Sequence, residues 1–274
     1  MTDLLKNALC CPLCGSSFEL GNDGKSLICN GEKRHCYDFS SSGYINFAPP
    51  SQSRSGDSKE SVRSRTEFLN RGFYAPIRDA VKDTVKCCAD GLVIDAGSGE
   101  GYYSSALSEV AKGVIGFDLS KFGVETAAKR VRGVQNIFFG VASIYTMPLT
   151  DACAQGIVSI FAPCANEEFA RVLKKDGVLI VVGAGKRHLI GLKEAIYDTT
   201  YENTEREDMP DFMELTEEKQ VLYEITLKSK KEIFDLFSMT PYYYRTSESD
   251  MEKLNRMENL NTFVDVLIRI YHKK

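Results

Sequence analysis

The sequence predicts an α/β protein: a parallel sheet with helical crossovers, preceded by a small module held together by a metal ion. Three observations carry this prediction. The segment Gly97-Ser98-Gly99-Glu100-Gly101 is a glycine-rich turn between an apolar strand and a helix. A second apolar run ends in an acid, Asp118, about 20 residues further on. Three cysteines crowd the opening stretch Cys10-Cys11-Pro12-Leu13-Cys14.

Composition limits what the chain can be. With 274 residues, a formal net charge of -4 and 43% hydrophobic residues, it can bury one sizeable core plus a small extra module. No apolar run reaches the roughly 18 residues of a membrane span. Residues 1–9, which include Asp3 and Lys6, do not read as a secretion signal. A cytoplasmic protein with no membrane partner is therefore expected. Nine cysteines in a reducing compartment point to metal, catalysis or burial rather than disulfides. The acidic balance argues against indiscriminate nucleic-acid binding and leaves room for a local basic face.

Residues 1–45 form the expected metal module. In Cys11-Pro12-Leu13-Cys14-Gly15, two intervening residues let both thiolates reach one ion, and Gly15 permits the tight turn behind them. Cys29 and His35 supply two more ligands, closing a tetrahedral zinc site with no open position. Cys10 stands at a tolerable spacing, but Cys11 gives the tighter pattern. His35 and Cys36 are adjacent and do not easily share one ion. So small a module buries little apolar surface, and metal binding would supply the missing free energy.

Residues 46–88 read as a linker and helical lead-in. The stretch "FAPPSQSRSGDSKESVRSRTEF" is rich in Ser, Pro and charge, and becomes helix-compatible from Asp57. Arg54, Lys59, Arg63, Arg65 and Arg71 make it locally basic, either as a solvated linker or as a contact for phosphates.

Residues 89–274 carry the main domain. The glycine order is GxGxG after Asp95, not the GxGxxG of a dinucleotide site. A pyrophosphate would avoid a neighbouring acid, whereas S-adenosylmethionine (SAM) carries an ammonium and a sulfonium that suit Asp95. Gly97, Gly99 and Gly101 let the backbone approach such a ligand. Asp118, at a strand end, can accept both ribose hydroxyls, and Ala142 and Ser143 follow the third strand where an adenine would lie. The runs "NIFFGVAS", "GIVSIFAPC" and "GVLIVVGAG" continue the sheet, with "KFGVETAAKRV" and "NEEFARVLKKD" as helices between strands. "VLYEITL" and "TFVDVLIRIY" add two more strands, and the acidic "YENTEREDMPDFMELTEE" is expected as an exposed insertion. Together these define a class I (Rossmann-like) SAM methyltransferase domain behind a small N-terminal zinc-binding module.

One family matches further. "CPLC", "GYINFAP", "RSGDS", "EGYY", "DLSK", "AAKR", "APC", "RHL" and "MTPYYYR" occur in the order seen in the 23S rRNA guanine-N1 methyltransferases, which this chain resembles over nearly its whole length. The resemblance implies transfer of the SAM methyl to N1 of a guanine in a hairpin loop of 23S rRNA, a zinc module that helps recognise RNA, and a homodimer. It implies zinc ligands at Cys11, Cys14, Cys29 and His35, and a SAM pocket at Tyr74, Glu100, Gly101 and Asp118 with His188 nearby.

A base within RNA must be exposed for such chemistry, and stacking on an aromatic is expected. Phe161, Tyr242, Tyr243 and Tyr244 are the candidates. No catalytic base is evident; His188 is either that base or a hydrogen-bonding wall. Cys164 in "FAPC" raises a rival, a cytosine-C5 methyltransferase with a cysteine nucleophile. Two further rivals are a small-molecule SAM methyltransferase and a non-catalytic RNA-binding protein.

Overall fold

The computed structural model describes residues 1–49, 56–200, 202–204 and 212–274. The chain opens with α1 (Asp3–Ala8) and a three-stranded antiparallel sheet of β1 (Phe18–Leu20), β2 (Ser26–Cys29) and β3 (Cys36–Asp38). A short strand β4 (Ile45–Asn46) and helices α2 (Lys59–Asn70) and α3 (Ala75–Cys88) lead into the main domain. The alternating series follows: β5 (Leu92–Ala96), α4 (Tyr102–Leu107), β6 (Gly113–Asp118), α5 (Lys121–Arg130), β7 (Ile137–Val141), β8 (Ala154–Ile160), α6 (Asn166–Val172), β9 (Leu173–Ala184) and α7 (Ile190–Ile196). The chain ends with β10 (Met213–Leu227), α8 (Lys230–Ser238), α9 (Glu248–Asn255) and β11 (Leu260–Lys273).

The large sheet has eight strands in the order β10-β11-β9-β8-β5-β6-β7-β4. Its core, from β4 to β9, is parallel, while β11 runs antiparallel between β9 and β10. Every residue of β5 and β7 is buried. Strands covered on both faces read as continuous apolar runs, and that is why "LVIDA" and "IFFGV" stand out in the sequence. Local chemistry sets the helix starts. The Ser58 hydroxyl accepts from the Ser61 N–H to begin α2, and the Ser120 hydroxyl accepts from the Gly123 N–H to begin α5.

Two details differ from expectation, and a third segment gains a role. The helix in "NEEFARVLKKD" stops at Val172, and Leu173 onward is already β9; Leu173 is fully buried and its C=O accepts from Lys273 Nζ. Within the acidic stretch expected as an insertion, Met213 to Glu218 begins β10 and pairs with β11; position 201 and residues 205–211 lie outside the described residues. The "GYIN" segment forms β4, which extends the sheet beside β7.

That short strand couples the N-terminal segment to the main domain. Phe47 is buried; it meets Phe138 of β7 at 6.5 Å on one side and Phe18 and Tyr37 of the small sheet at 6.2 and 5.3 Å on the other. Leu5 and Leu9 are fully buried in the same cluster as Leu92, Ile115 and Leu149. The module therefore packs into the domain's own core, which offsets its small size. Phe47→Ala should lower the unfolding free energy by about 3–5 kcal/mol in equilibrium denaturation, the range for a buried Phe that leaves a cavity.

Candidate active site and metal centre

A cavity of about 900 Å³ opens at the carboxyl ends of β5 to β9. Tyr74, Gly97, Gly99, Glu100, Asp118, Ala142, Ser143 and His188 all line it. A parallel sheet brings these distant positions together because every strand delivers its carboxyl end to one edge.

Asp118 is the best-anchored of them. One carboxylate oxygen accepts the Gly99 N–H at 2.9 Å and the other accepts the Ser120 N–H at 2.7 Å. Burial raises its pKa, and these two backbone donors oppose that shift. Each oxygen keeps lone-pair capacity for a further donor such as a ribose hydroxyl. Gly97 has φ +88, and a Cβ there would lie 2.7 Å from the Ala162 methyl, so only glycine fits the turn.

Two expected residues stand off the cavity wall. Asp95 is buried beneath the turn, where it accepts the Ser104 hydroxyl of α4. Burial pushes its carboxyl up to about 7, with the Ser104 bond pulling the other way. It braces the loop from below instead of offering a carboxylate to a cationic ligand. Gly101 has φ +74, and a Cβ would lie 2.7 Å from the Ala127 Cβ, so this glycine lets α4 approach α5.

The carboxylate that the glycine turn itself adds to the wall, beside Asp118 and Asp57, is the buried Glu100. Burial raises its pKa, opposed chiefly by the charge of Arg65, whose Nη1 lies 3.9 Å from Glu100. Arg65 also pairs with Asp57 at 2.5 Å, and both line the cavity. Arg65 is therefore engaged inside the site instead of standing free on a solvated linker. Arg71 pairs with the buried Asp235 at 3.2 Å. Lys59 and Arg63 are exposed, and Arg54 lies outside the described residues. Nothing in the basic composition of this segment separated the inward arginine from the outward ones.

His188, Tyr74 and Phe161 form an aromatic wall. His188 Nδ1 accepts the Asp265 N–H at 3.3 Å, so the neutral ring carries its proton on Nε2, which lies 3.4 Å from the Tyr74 hydroxyl. Burial lowers the imidazole pKa to about 4, against the opposing charge of Asp265. Phe161 stacks on His188 at 5.5 Å yet is 45% exposed, and its φ of +51 is strained for a bulky residue. Tyr242 lines the cavity, while Tyr243 packs on Phe234 and Phe237. The Tyr244 side chain lies outside the described residues. Cys164 is buried in the core cluster, and the wall beside it is formed by Phe161, Ala162 and Pro163.

A second cluster lies in the N-terminal sheet. The ligand atoms of Cys11, Cys14, Cys29 and His35 all fall within 4.8 Å of one another. His35 Nδ1 lies 3.5, 3.6 and 3.5 Å from the sulfurs of Cys11, Cys14 and Cys29, and the sulfurs of Cys14 and Cys29 are 3.7 Å apart. Thiolates and an imidazole bound tetrahedrally to one zinc ion would be separated by about 3.5–3.8 Å, so the four residues fit that metal. Hydrogen bonds from Ser16 pull the Cys14 thiol down to about 6, which favours a thiolate ligand. Cys10 and Cys36 stand outside the group. Burial pushes the Cys10 thiol up to about 11, and Cys36 is exposed beside Asp38 at 3.8 Å.

The glycine turn, the strand-end acid and the cavity above them define a class I SAM-dependent methyltransferase, and residues 89–257 match the family model of a methyltransferase domain. A solved candidate type II methyltransferase of Anaeromyxobacter dehalogenans shares the fold at TM-score 0.51 and 16% identity, over 70% of this chain and 94% of that one. More particularly, the chain belongs to the 23S rRNA (guanine-N1)-methyltransferase family. It is 32% identical to YxjB of Bacillus subtilis (strain 168), a candidate 23S rRNA (guanine-N(1)-)-methyltransferase, over 95% of both chains. It is 30% identical to the 23S rRNA (guanine(748)-N(1))-methyltransferase of Streptomyces fradiae, over 68% of this chain and 66% of that one. Among the described residues, no helix is long and apolar enough to cross a membrane.

Two outcomes are expected. The purified chain should carry one zinc per molecule by elemental analysis; Cys29→Ser should lose it, and Cys10→Ser and Cys36→Ser should keep it. His188 has a folded pKa of about 4, below its ordinary 6.5, so its contribution to stability is complete above pH 6.5 and is lost as the pH falls through 4. In urea denaturation the change in stability between pH 6.5 and 4 should be less favourable for the wild type than for His188→Asn by an amount on the order of 3 kcal/mol, the buried acids contributing equally to both.

Proposed function

We propose that this protein transfers the methyl group of SAM to N1 of a guanine in a hairpin loop of 23S rRNA. The observation that carries the reading is the size and make-up of the cavity. About 900 Å³ is near the upper end for a small-molecule pocket (~300–1,000 Å³), leaving room for a base beside the cofactor. Part of its wall is the nucleoside-type site of Asp118, Gly99, Ala142 and Ser143; another part is Phe161, Met239, Thr240 and Tyr242. SAM bound there supplies an electrophilic methyl group on a sulfonium sulfur.

The chain's own residues orient and select. Asp118 accepts the ribose hydroxyls, and Glu100 faces the ammonium. Phe161 offers an exposed ring face on which an extruded base stacks, held in its strained conformation by an N–H bond to the Val182 carbonyl at 2.9 Å. Guanine N1 carries a proton at neutral pH, which must pass to solvent as the N1–methyl bond forms and the methyl–sulfur bond breaks. His188 does not accept it, because Nδ1 is engaged with Asp265 and Nε2 already bears a proton. Placing N1 in line with the methyl therefore supplies much of the acceleration.

Residues 1–45 are assigned to RNA recognition, 46–88 to the lead-in and 89–274 to methyl transfer. The Cys11, Cys14, Cys29 and His35 zinc ion is structural, shaping a front end on which Lys25 and Lys33 are exposed; Lys59 and Arg63 are exposed on α2. An rRNA substrate puts the site of action in the cytoplasm, and the family resemblance supports a homodimer. The cytosine-C5 and small-molecule readings are disfavoured by the buried Cys164 and by the relatives' named substrate.

Incubating the protein with 23S rRNA and labelled SAM, followed by mass mapping, should place the label on N1 of one guanine; label on a cytosine would overturn the proposal. Cys164→Ala should keep turnover within about threefold. Asp118→Ala should weaken SAM binding at least ~10-fold in calorimetric titration, as expected when hydrogen bonds to a charged group are lost.

A further inference from the structure

The turn that leaves β9 carries two cations, Lys186 and Arg187, both exposed. The residues on either side, Ala184, His188 and Leu189, line the cavity. The backbone of this turn is tightly held. The Gly185 N–H donates to the Asp265 carbonyl at 2.8 Å, the Arg187 N–H to an Asp265 carboxylate oxygen at 2.8 Å, and the Leu189 N–H to the Phe263 carbonyl at 2.7 Å. Asn203 Nδ2 donates to the carbonyls of Gly185 and His188, each at 3.0 Å, and the Asn203 N–H donates to that of Lys186 at 3.0 Å. A Cβ on Gly185 would lie 2.4 Å from Asp265 Oδ1, so glycine lets the turn sit directly on that carboxylate.

The two cationic heads are not committed in the same way. Among the described residues, neither the Lys186 ammonium nor the Arg187 guanidinium forms an ion pair or a hydrogen bond. Arg187 lies over the Phe263 ring, its Cζ 4.0 Å from the centroid. Contact with a ring face steadies a guanidinium and spares its N–H donors. The Asp265 carboxylate beneath the turn is taken up by the Arg187 N–H and by Gln220 Nε2 at 2.7 Å. The arginines that line the cavity itself differ: Arg65 pairs with Asp57 at 2.5 Å, and Arg269 pairs with Glu218 at 2.6 Å. Positive charge within the cavity is thus balanced by acids, and the charge on the turn beside it is not.

A nucleotide whose base enters the cavity leaves its phosphates outside, since they are charged and chained to the neighbouring nucleotides. Consecutive Cα atoms are about 3.8 Å apart, so Lys186 and Arg187 stand no more than two such steps from the lining residues. A guanidinium offers phosphate oxygens a planar fork, and an ammonium adds a point charge. We infer that Lys186 and Arg187 grip the phosphodiester backbone of the RNA strand whose base is extruded into the cavity. The inference rests on the rRNA methyl-transfer reading above and names the residues that hold the strand at the mouth. It gives a chain of net charge -4 a local hold on a polyanion.

Filter binding of the full-length protein to an unmethylated 23S rRNA transcript, between about 50 and 200 mM salt, tests this. Lys186→Gln and Arg187→Gln should each make the plot of log Kobs against log[salt] shallower by about 0.7, the value for one contact to a single-strand phosphate, and the double variant by about 1.4. Arg187→Lys, which keeps the charge, should hold the wild-type slope. In methylation assays the double variant should raise KM for the transcript at least ~10-fold with little change in kcat, as expected for binding lost equally from ground and transition states. Calorimetric SAM affinity should be unchanged in every variant. Lys186→Gln removes no contact among the described residues, so its slope remains a test where Arg187→Gln loosens the turn. Unchanged slopes in Lys186→Gln and the double variant would overturn the inference and leave the methyl-transfer reading standing. A parallel loss of SAM affinity in Lys186→Gln would overturn it too, because the turn would then only shape the cavity. So would an Arg187→Lys slope as shallow as that of Arg187→Gln. If the wild type neither binds nor methylates the transcript, the rRNA reading fails and takes the inference with it.

Discussion

The carboxylate of Asp118 ties two strand-to-helix turns together. By accepting the N–H of Gly99 from the β5 turn and that of Ser120 from its own, it fixes the spacing of neighbouring strand ends. An acid is suited to this place because a carboxylate can take two backbone donors and still present lone pairs outward. Burial disfavours its charge, and the backbone donors compensate. The glycine turn is consequently held in the left-handed conformations that open the cavity.

Three acids near the glycine turn are arranged around the Arg65 guanidinium. Asp57, Glu100 and Asp118 are the acids that act on Arg65, and Arg65 is engaged with the first two. The lead-in segment closes over the β6 turn through the Ser120 hydroxyl, which donates to the Asp57 carbonyl at 3.2 Å. Residues that precede the methyltransferase domain in sequence thus build part of its site. A domain cut at the first strand would lose Tyr74, Arg65 and Asp57 together.

The N-terminal module depends on two kinds of cohesion. A four-ligand cluster holds the turns of its small sheet, and a run of aromatic contacts through Phe18, Tyr37 and Phe47 reaches Phe138 in β7. The Tyr37 hydroxyl lies 3.7 Å from Cys11 Sγ, so the same ring belongs to both systems. A metal ion held by these four residues would therefore be coupled through Tyr37 to the edge of the large sheet.

Whereas α7, α8 and α9 were not legible before any folding was considered, the order of the strands from β5 onward with the helices α4, α5 and α6 between them, the turn and its acid, and the four metal-ligand candidates were. Each is written in local spacing: an apolar run of strand length, a glycine where φ must be positive, two cysteines with two residues between them. Local spacing does not say where a side chain points once the chain is packed. Asp95 turns beneath the loop to Ser104, Gly101 serves helix packing, Arg65 faces inward, and the Tyr103 hydroxyl has no protein partner among the described residues. Packing set those orientations, because each depends on neighbours brought in from other strands and helices that no short stretch of the chain contains.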